Sequence, residues 1–232
     1  LGAATSIDDF IAPACDAFVD ILFQDEAILL INKPAGLLTL SGKNPRNLDS
    51  VHYRLVNGQP GVSPPFCEAK LPHRLDFGTS GVMVVALNQQ ATQHLNHQFQ
   101  VGTVQKRYLA ILEGWVKDDE GVISAPIAKD KSQFPRVKIC SSTGKAATSH
   151  FRVIDRLTQP QRTLVEFTPE TGRTHQLRIH SLFMGHPILG CDLYHSATSQ
   201  QLADRLLLHA SDLYFQHPVT GEPCHGHCTS PF

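Results

Sequence analysis

No apolar run in this chain of 232 residues approaches the roughly 20 residues that a helical membrane span needs, so no membrane partner is expected. Low-complexity tracts and internal repeats are also missing. With 41% hydrophobic and 18% charged residues, the chain reads as soluble and able to bury a substantial core. A charge excess is absent as well. The formal net charge of −1 gives no global attraction to nucleic acid, which leaves any such binding to local fields. The N-terminal stretch LGAATSIDDFIAPACDAF has no basic start and is broken by Asp8, Asp9 and Pro13, so it does not read as a signal peptide. Six scattered cysteines (Cys15, Cys67, Cys140, Cys191, Cys224, Cys228) then read as free thiols of a reducing cytoplasm rather than as a disulfide framework.

Two nucleotide-handling motifs are excluded by spacing. GLLTLSGKN puts five residues between Gly36 and Gly42, and Asn44 follows Lys43, which breaks the phosphate-loop pattern. HRLD at 73–76 differs from a kinase catalytic loop by the extra Leu75, and neither the Gly-rich loop nor Asp-Phe-Gly is present. The C-terminal CHGHC (224–228) carries two Cys and two His, but four ligands so crowded do not reach one tetrahedral ion comfortably. It reads as a polar terminal strand, and no metal is expected.

What is present is a sequence of short strands with a few helices. Ile21–Phe23 and Ala27–Asn32 read as a strand pair, and a short helix is expected around Ser50–Leu55. Residues 57–69 are dense in Gly and Pro and read as a loop. Val82–Leu87 never alternates with polar residues, so it reads as a strand buried on both faces. Ala91, Leu95 and Phe99 stand at helical spacing between an Asn88 N-cap and Gly102. QKRYLAILEGWV and Leu164–Phe167 read as strands, and a further helix is expected to start on a Thr174 N-cap and stop at Gly185 and Pro187. Hairpin signals outnumber crossover units, which gives an α+β fold with a mostly antiparallel sheet.

Charged residues beside the buried strand need partners, because burial without one costs several kcal/mol. Asp76 is such a residue. Arg178 shares a helical stripe with Ile179 and Leu182, and its planar fork suits a carboxylate. A surface Arg lying over an apolar face fits the same spacing equally well. Residues 129–145 hold five basic residues and one acid, a pattern usual for a solvated edge and also suited to phosphate contacts. Tyr108 is an ordinary strand aromatic or, beside a cleft, a ring on which a base stacks.

NKPAGL at 32–37, HRLDFGTSG at 73–81, KRYLAILEG at 106–114, TGRTHQLRIH at 171–180, GHPILGCDLYH at 185–195 and LLLHA at 206–210 together resemble the ordered motifs of the RluA-type pseudouridine synthases. The resemblance covers about residues 20–232. It implies a mixed, mostly antiparallel central sheet flanked by helices with the active-site cleft across it. It also implies one catalytic domain at 21–232 behind an extension at 1–20, with no S4 RNA-binding domain. By the same resemblance Asp76 is the nucleophile, Arg178 its partner and Tyr108 the ring that stacks on the target uracil. Arg74 is the side chain that enters the RNA helix after base flipping. Leu208 walls the site, and His73, Arg173, Arg136 and Lys138 are further RNA-contact candidates.

The implied reaction isomerises uridine to pseudouridine and calls for no cofactor. The implied partner is a structured RNA, a stem-loop of large-subunit ribosomal RNA or of tRNA, met by a monomer. Two other readings are less apt: a catalytically silent RNA-binding relative would not need Asp76, Tyr108 and Arg178 together, and a hydrolase using Asp76 and His73 lacks a second positioned acid.

Overall fold

The computed structural model describes residues 10–59 and 65–232. The first nine residues of the expected extension and the middle of the expected 57–69 loop lie outside the described residues. Strands β1 (Asp20–Gln24) and β2 (Ile28–Lys33) are joined by a turn in which Asp25 Oδ1 accepts from the backbone N–H of both Ala27 and Ile28 at 2.8 Å. Helix α1 (Val51–Asn57) begins where the Ser50 side chain accepts from Tyr53 N, and α2 (Gln89–Val101) where Asn88 accepts from Ala91 N. Gly102 closes α2 in the left-handed conformation at φ 77°, as its position in the sequence predicts.

The main sheet contains β1, β2, β3 (Ser80–Ala86), β4 (Gln105–Glu113), β5 (Glu120–Ser124), β8 (Thr148–Thr158), β9 (Gln161–Pro169), β10 (Leu208–Gln216) and β11 (Pro223–His227). Its order is β1-β2-β3-β10-β4-β9-β8-β5, with β11 paired to β10. Strands β6 (Ile127–Lys129) and β7 (Val137–Ile139) form a separate hairpin. Among the named strands of the main sheet only β3 and β10 run parallel, and they meet over two register pairs, His209 with Ser80 and Ala210 with Gly81. Gly81 makes that meeting feasible. Its φ is +129°, and a Cβ there would lie 2.2 Å from the Ala210 carbonyl oxygen.

Every residue of β3 is buried, as its unbroken apolar run requires. The pleat sends Met83 and Val85, with Leu29 and Ile31, against Val51 and Leu55 of α1. It sends Val82 and Val84, with Ile28 and Leu30, against Ala91 and Leu95 of α2 on the opposite face. A further cluster joins Ala110 and Leu112 of β4, Val165 and Phe167 of β9, and Leu177 and Ile179 of α3 (Gln176–Phe183). Tyr108 packs against both this cluster and the α1 cluster, so it marks the seam between the two halves of the sheet.

The start of α3 differs from the expected Thr174 cap. The helix begins at Gln176, after His175 in a left-handed conformation at φ 54°, and the His175 side chain makes no capping bond to the helix. Gln176 serves the approach instead: its Oε1 accepts from Thr171 Oγ1 at 2.7 Å and from Arg173 N at 3.0 Å, and its Nε2 donates to Thr148 O. Because this helix is buried almost throughout, its polar side chains need partners within the fold, and those of Gln176 and His180 reach Ser149 of β8.

Candidate active site

The segment HRLDFGTSG is held from beneath by NKPAGL and the residues after it. Thr39 Oγ1 donates to Leu75 O at 2.6 Å, and Gly36 N donates to Phe77 O at 2.9 Å. Lys33, fully buried, sends its ammonium to Pro34 O, Phe77 O and Thr79 O at 2.9, 3.3 and 2.7 Å. Burial pushes the Lys33 amine down to about 7, with the Asp76 charge opposing the fall. Two of the three carbonyls belong to the loop of Asp76, so Lys33 fixes the backbone on which that carboxylate stands. Sequence reasoning recognised NKPAGL as a motif but gave Lys33 no role.

Asp76 faces Arg178 across the seam: Arg178 Nη1 donates to Asp76 Oδ2 at 3.1 Å. This pairing resolves the choice left open by the helix stripe. The arginine side chain is only 7% exposed and the aspartate side chain 30%, which leaves the carboxylate open to a ligand and its partner closed. Arg178 also donates through Nη2 to Asp192 Oδ1 at 2.7 Å and through Nε to Cys191 Sγ at 3.4 Å. Burial opposes the arginine's charge, but Cys191 Sγ and the carboxylates of Asp76 and Asp192 outweigh it and raise its pKa. The guanidinium therefore stays cationic and rigidly oriented. Asp192 follows from no periodicity; it stands after the turn at Gly190, whose φ is +74° and whose Cβ would lie 1.9 Å from Arg205 O.

Tyr194 completes the enclosure. Its ring, 1% exposed, faces the Arg178 guanidinium at 5.3 Å and that of Arg136 at 5.5 Å. Its hydroxyl accepts from Val137 N at 2.8 Å and is hydrogen-bonded to His175 Nδ1 at 2.8 Å. Burial lowers the pKa of His175, helped by Arg178 and Arg74 and opposed by Asp76 and Asp192. Tyr108, on β4 beside Ala210 and Phe167, borders the same site. Burial and the Asp76 charge raise its phenol pKa, so the hydroxyl is un-ionised at ordinary pH.

A half-buried carboxylate held by a buried guanidinium beside a neutral aromatic ring suits a reaction in which the carboxylate attacks a substrate held by stacking. Comparison with known proteins specifies which. The family described as RNA pseudouridylate synthase matches residues 27–182. The dual-specificity RNA pseudouridine synthase RluA of Yersinia pestis is 42% identical over 212 residues, covering 91% of this chain and 99% of that protein.

This chain belongs to the RNA pseudouridylate synthase family.

The synthase is also 39% identical over 209 residues to the protein of the same name in Escherichia coli, covering 90% of this chain and 92% of that one. Among solved structures, human RNA pseudouridylate synthase domain containing 1 superposes with a TM-score of 0.74 at 27% identity, covering 95% of this chain and 86% of that one. The synthase is thus an isomerase that acts on uridine in RNA, as the sequence resemblance implied.

The remaining expected site residues divide into two groups. Arg74 is exposed and close enough for its charge to act on His175, while Leu208 is buried in the cluster that Tyr108 packs against. Arg136 leans on Tyr194; Lys138 is exposed on the β6–β7 hairpin, whose connecting loop holds Phe134 at 74% exposure. Arg173 is exposed and donates from Nε to Ala146 O. His73 has an internal task instead. Its Nε2 accepts from Val84 N at 3.0 Å, and its ring stacks on Phe99 at 4.5 Å. Burial, with a smaller effect of Lys106, pushes it down to about 3, so it is a neutral part of the fold between β3 and α2.

No helix among the described residues is long and apolar enough to cross a membrane.

Proposed function

We propose that this synthase, a cytoplasmic monomer, converts uridines in stem-loops of large-subunit ribosomal RNA and of tRNA to pseudouridine, with Asp76 as the nucleophile. The dual specificity named for the relatives supports two RNA classes. The observation that carries the role of Asp76 is its pairing with buried Arg178 while its own side chain stays partly open, beside Tyr108. In the reaction the N1–C1′ bond of uridine breaks and the C5–C1′ bond forms. The proton on C5 leaves to solvent and N1 takes up a proton, so nothing is oxidised or hydrolysed and no cofactor is required.

Asp76 stabilises the detached intermediate by attack while the uracil, stacked on Tyr108, turns C5 toward the ribose. Arg178 keeps the carboxylate aimed and anionic. The target nucleotide must leave its stack to reach the seam, and Arg74, exposed at the rim, fills the gap. Leu208 keeps the wall behind Tyr108 apolar. Arg173 and the hairpin residues Arg136 and Lys138 contact phosphates, recognising loop shape rather than duplex sequence.

The test uses RNA carrying tritium at uridine C5. Purified protein should release tritium to water from ribosomal RNA fragments and tRNA anticodon stem-loops, and Asp76→Asn should release none. Release by Asp76→Asn at the normal rate would remove the nucleophile from the account, and release from neither RNA would remove the substrate assignment.

A further inference from the structure

The C-terminal CHGHC is the one motif that isomerase chemistry does not absorb. In β11 the pleat divides its four donors. Cys224 and Cys228 pack toward the cluster of Ile28, Leu30 and Val82, and Gly226 lies against Val82 and Leu30. His225 and His227 emerge on the opposite face. There β10 supplies a third donor: its Asp212 pairs in register with His227, and Tyr214 with His225. Asp212 Oδ1 lies 2.7 Å from His225 Nε2 and 2.9 Å from His227 Nδ1, and the three donor atoms all lie within 4.8 Å of one another.

The cluster is ordered as well as close. His225 stacks on Tyr214 at 4.3 Å with planes 7° apart, and the Arg107 guanidinium lies 5.3 Å from the Tyr214 ring. The Asp212 side chain is 15% exposed, whereas the two imidazoles are 47% and 55% exposed. Burial raises the Asp212 pKa, but hydrogen bonds from Ser211, His225 and His227 outweigh it and keep the group a carboxylate.

We infer that Asp212, His225 and His227 form a three-ligand site for a zinc-class divalent ion, clamping β11 to β10 on the outer face of the sheet. Two imidazoles and one carboxylate match the donor preference of late first-row metals, whereas magnesium favours oxygen donors and water. Donors around a tetrahedral ion with bonds of about 2.1 Å stand about 3.4 Å apart, so the two hydrogen-bonded contacts, at 2.7 and 2.9 Å, must open by about 0.5–0.7 Å. The exposed imidazoles allow this by rotation. Each ring then carries its proton on the outer nitrogen, and water fills the positions the protein leaves open.

The four-ligand objection to CHGHC does not apply to this arrangement, because the two cysteines take no part and the third ligand comes from a neighbouring strand. The site requires nothing of Asp76 or Arg178.

The experiment titrates chelator-treated full-length protein with zinc chloride by calorimetry, and with cobalt chloride by visible absorption, beside magnesium chloride. One zinc per chain, a cobalt spectrum of nitrogen–oxygen coordination, a rise in unfolding temperature with zinc and no response to magnesium are expected. Asp212→Asn should weaken zinc binding at least about tenfold, and His225→Gln with His227→Gln should abolish it, as loss of ligands requires. Circular dichroism checks that each variant is folded. No uptake below about 100 µM zinc, or unchanged uptake by the folded double variant, would overturn the assignment, the second result placing the ion on other His or Cys side chains.

Discussion

Asp192 lies 2.7 Å from Nη2 of Arg178, on the other prong of the fork that holds Asp76 at 3.1 Å. One buried cation is thus shared by two carboxylates of unequal exposure, 30% for Asp76 and 69% for Asp192. In the proposed mechanism the more exposed partner anchors the arginine, which leaves Asp76 free to exchange its hydrogen bond for a bond to substrate. Replacing Asp192 by Asn keeps the shape and weakens the anchor by about 1–2 kcal/mol, or roughly tenfold in rate. Single-turnover kinetics should show kcat reduced to about that extent with RNA affinity almost unchanged.

Tyr194 ties the basic hairpin to Arg178. Tyr194→Phe keeps the ring between Arg136 and Arg178 but leaves Val137 N and His175 Nδ1 without their partner. An unsatisfied buried amide costs about 1–3 kcal/mol. Urea unfolding should register a loss of that size, and KM for RNA should rise because the hairpin is no longer held.

Arg136 and Lys138 place positive charge on that hairpin without belonging to the pair of Asp76 and Arg178. Their double replacement by Ala should weaken RNA binding and flatten the slope of log affinity against log salt by about 1–2 units, since each phosphate contact contributes about 0.9. Binding measured between low and moderate salt checks this; an unchanged slope would take both residues out of the RNA interface.

His73 should make the fold sensitive to acid. Its pKa falls from an ordinary 6.5 to about 3 in the folded chain, so the unfolded chain binds the extra proton between those values. Stability contributed by the neutral ring is complete above about pH 6.5 and declines as pH falls toward 3, by up to ~1.4 kcal/mol per pH unit. Urea midpoints at pH 7.5 and pH 5 should differ more in the wild type than in His73→Gln, which cannot titrate.

Local structure was legible in the sequence wherever one residue type settles it. The unbroken run in β3, the Asn88 cap and the Gly102 stop of α2 are of this kind. The pairing of Asp76 with Arg178 was legible as one of two readings, because a charge on an apolar stripe must find a partner or lie at the surface. The rest depends on contacts distant in sequence. Lys33 shows its task only when the Asp76 loop folds over it, and nothing before the structure separates His73, bound inward to Val84, from its exposed neighbour Arg74. Thr174 is a reasonable cap by type, yet the helix starts after His175, and Gln176 binds the approach and β8 instead. Asp192 and Tyr194 stand in a segment without periodicity, and tertiary packing alone aims them at Arg178.

The proposed isomerisation depends most directly on Asp76. Pseudouridine mapping of ribosomal RNA and tRNA from cells lacking the gene, complemented by wild type or by Asp76→Asn, tests it directly. Specific sites should vanish on deletion, return with the wild type and stay absent with Asp76→Asn. Sites that never change, or that return with the variant, would contradict the claim that this carboxylate carries the isomerisation.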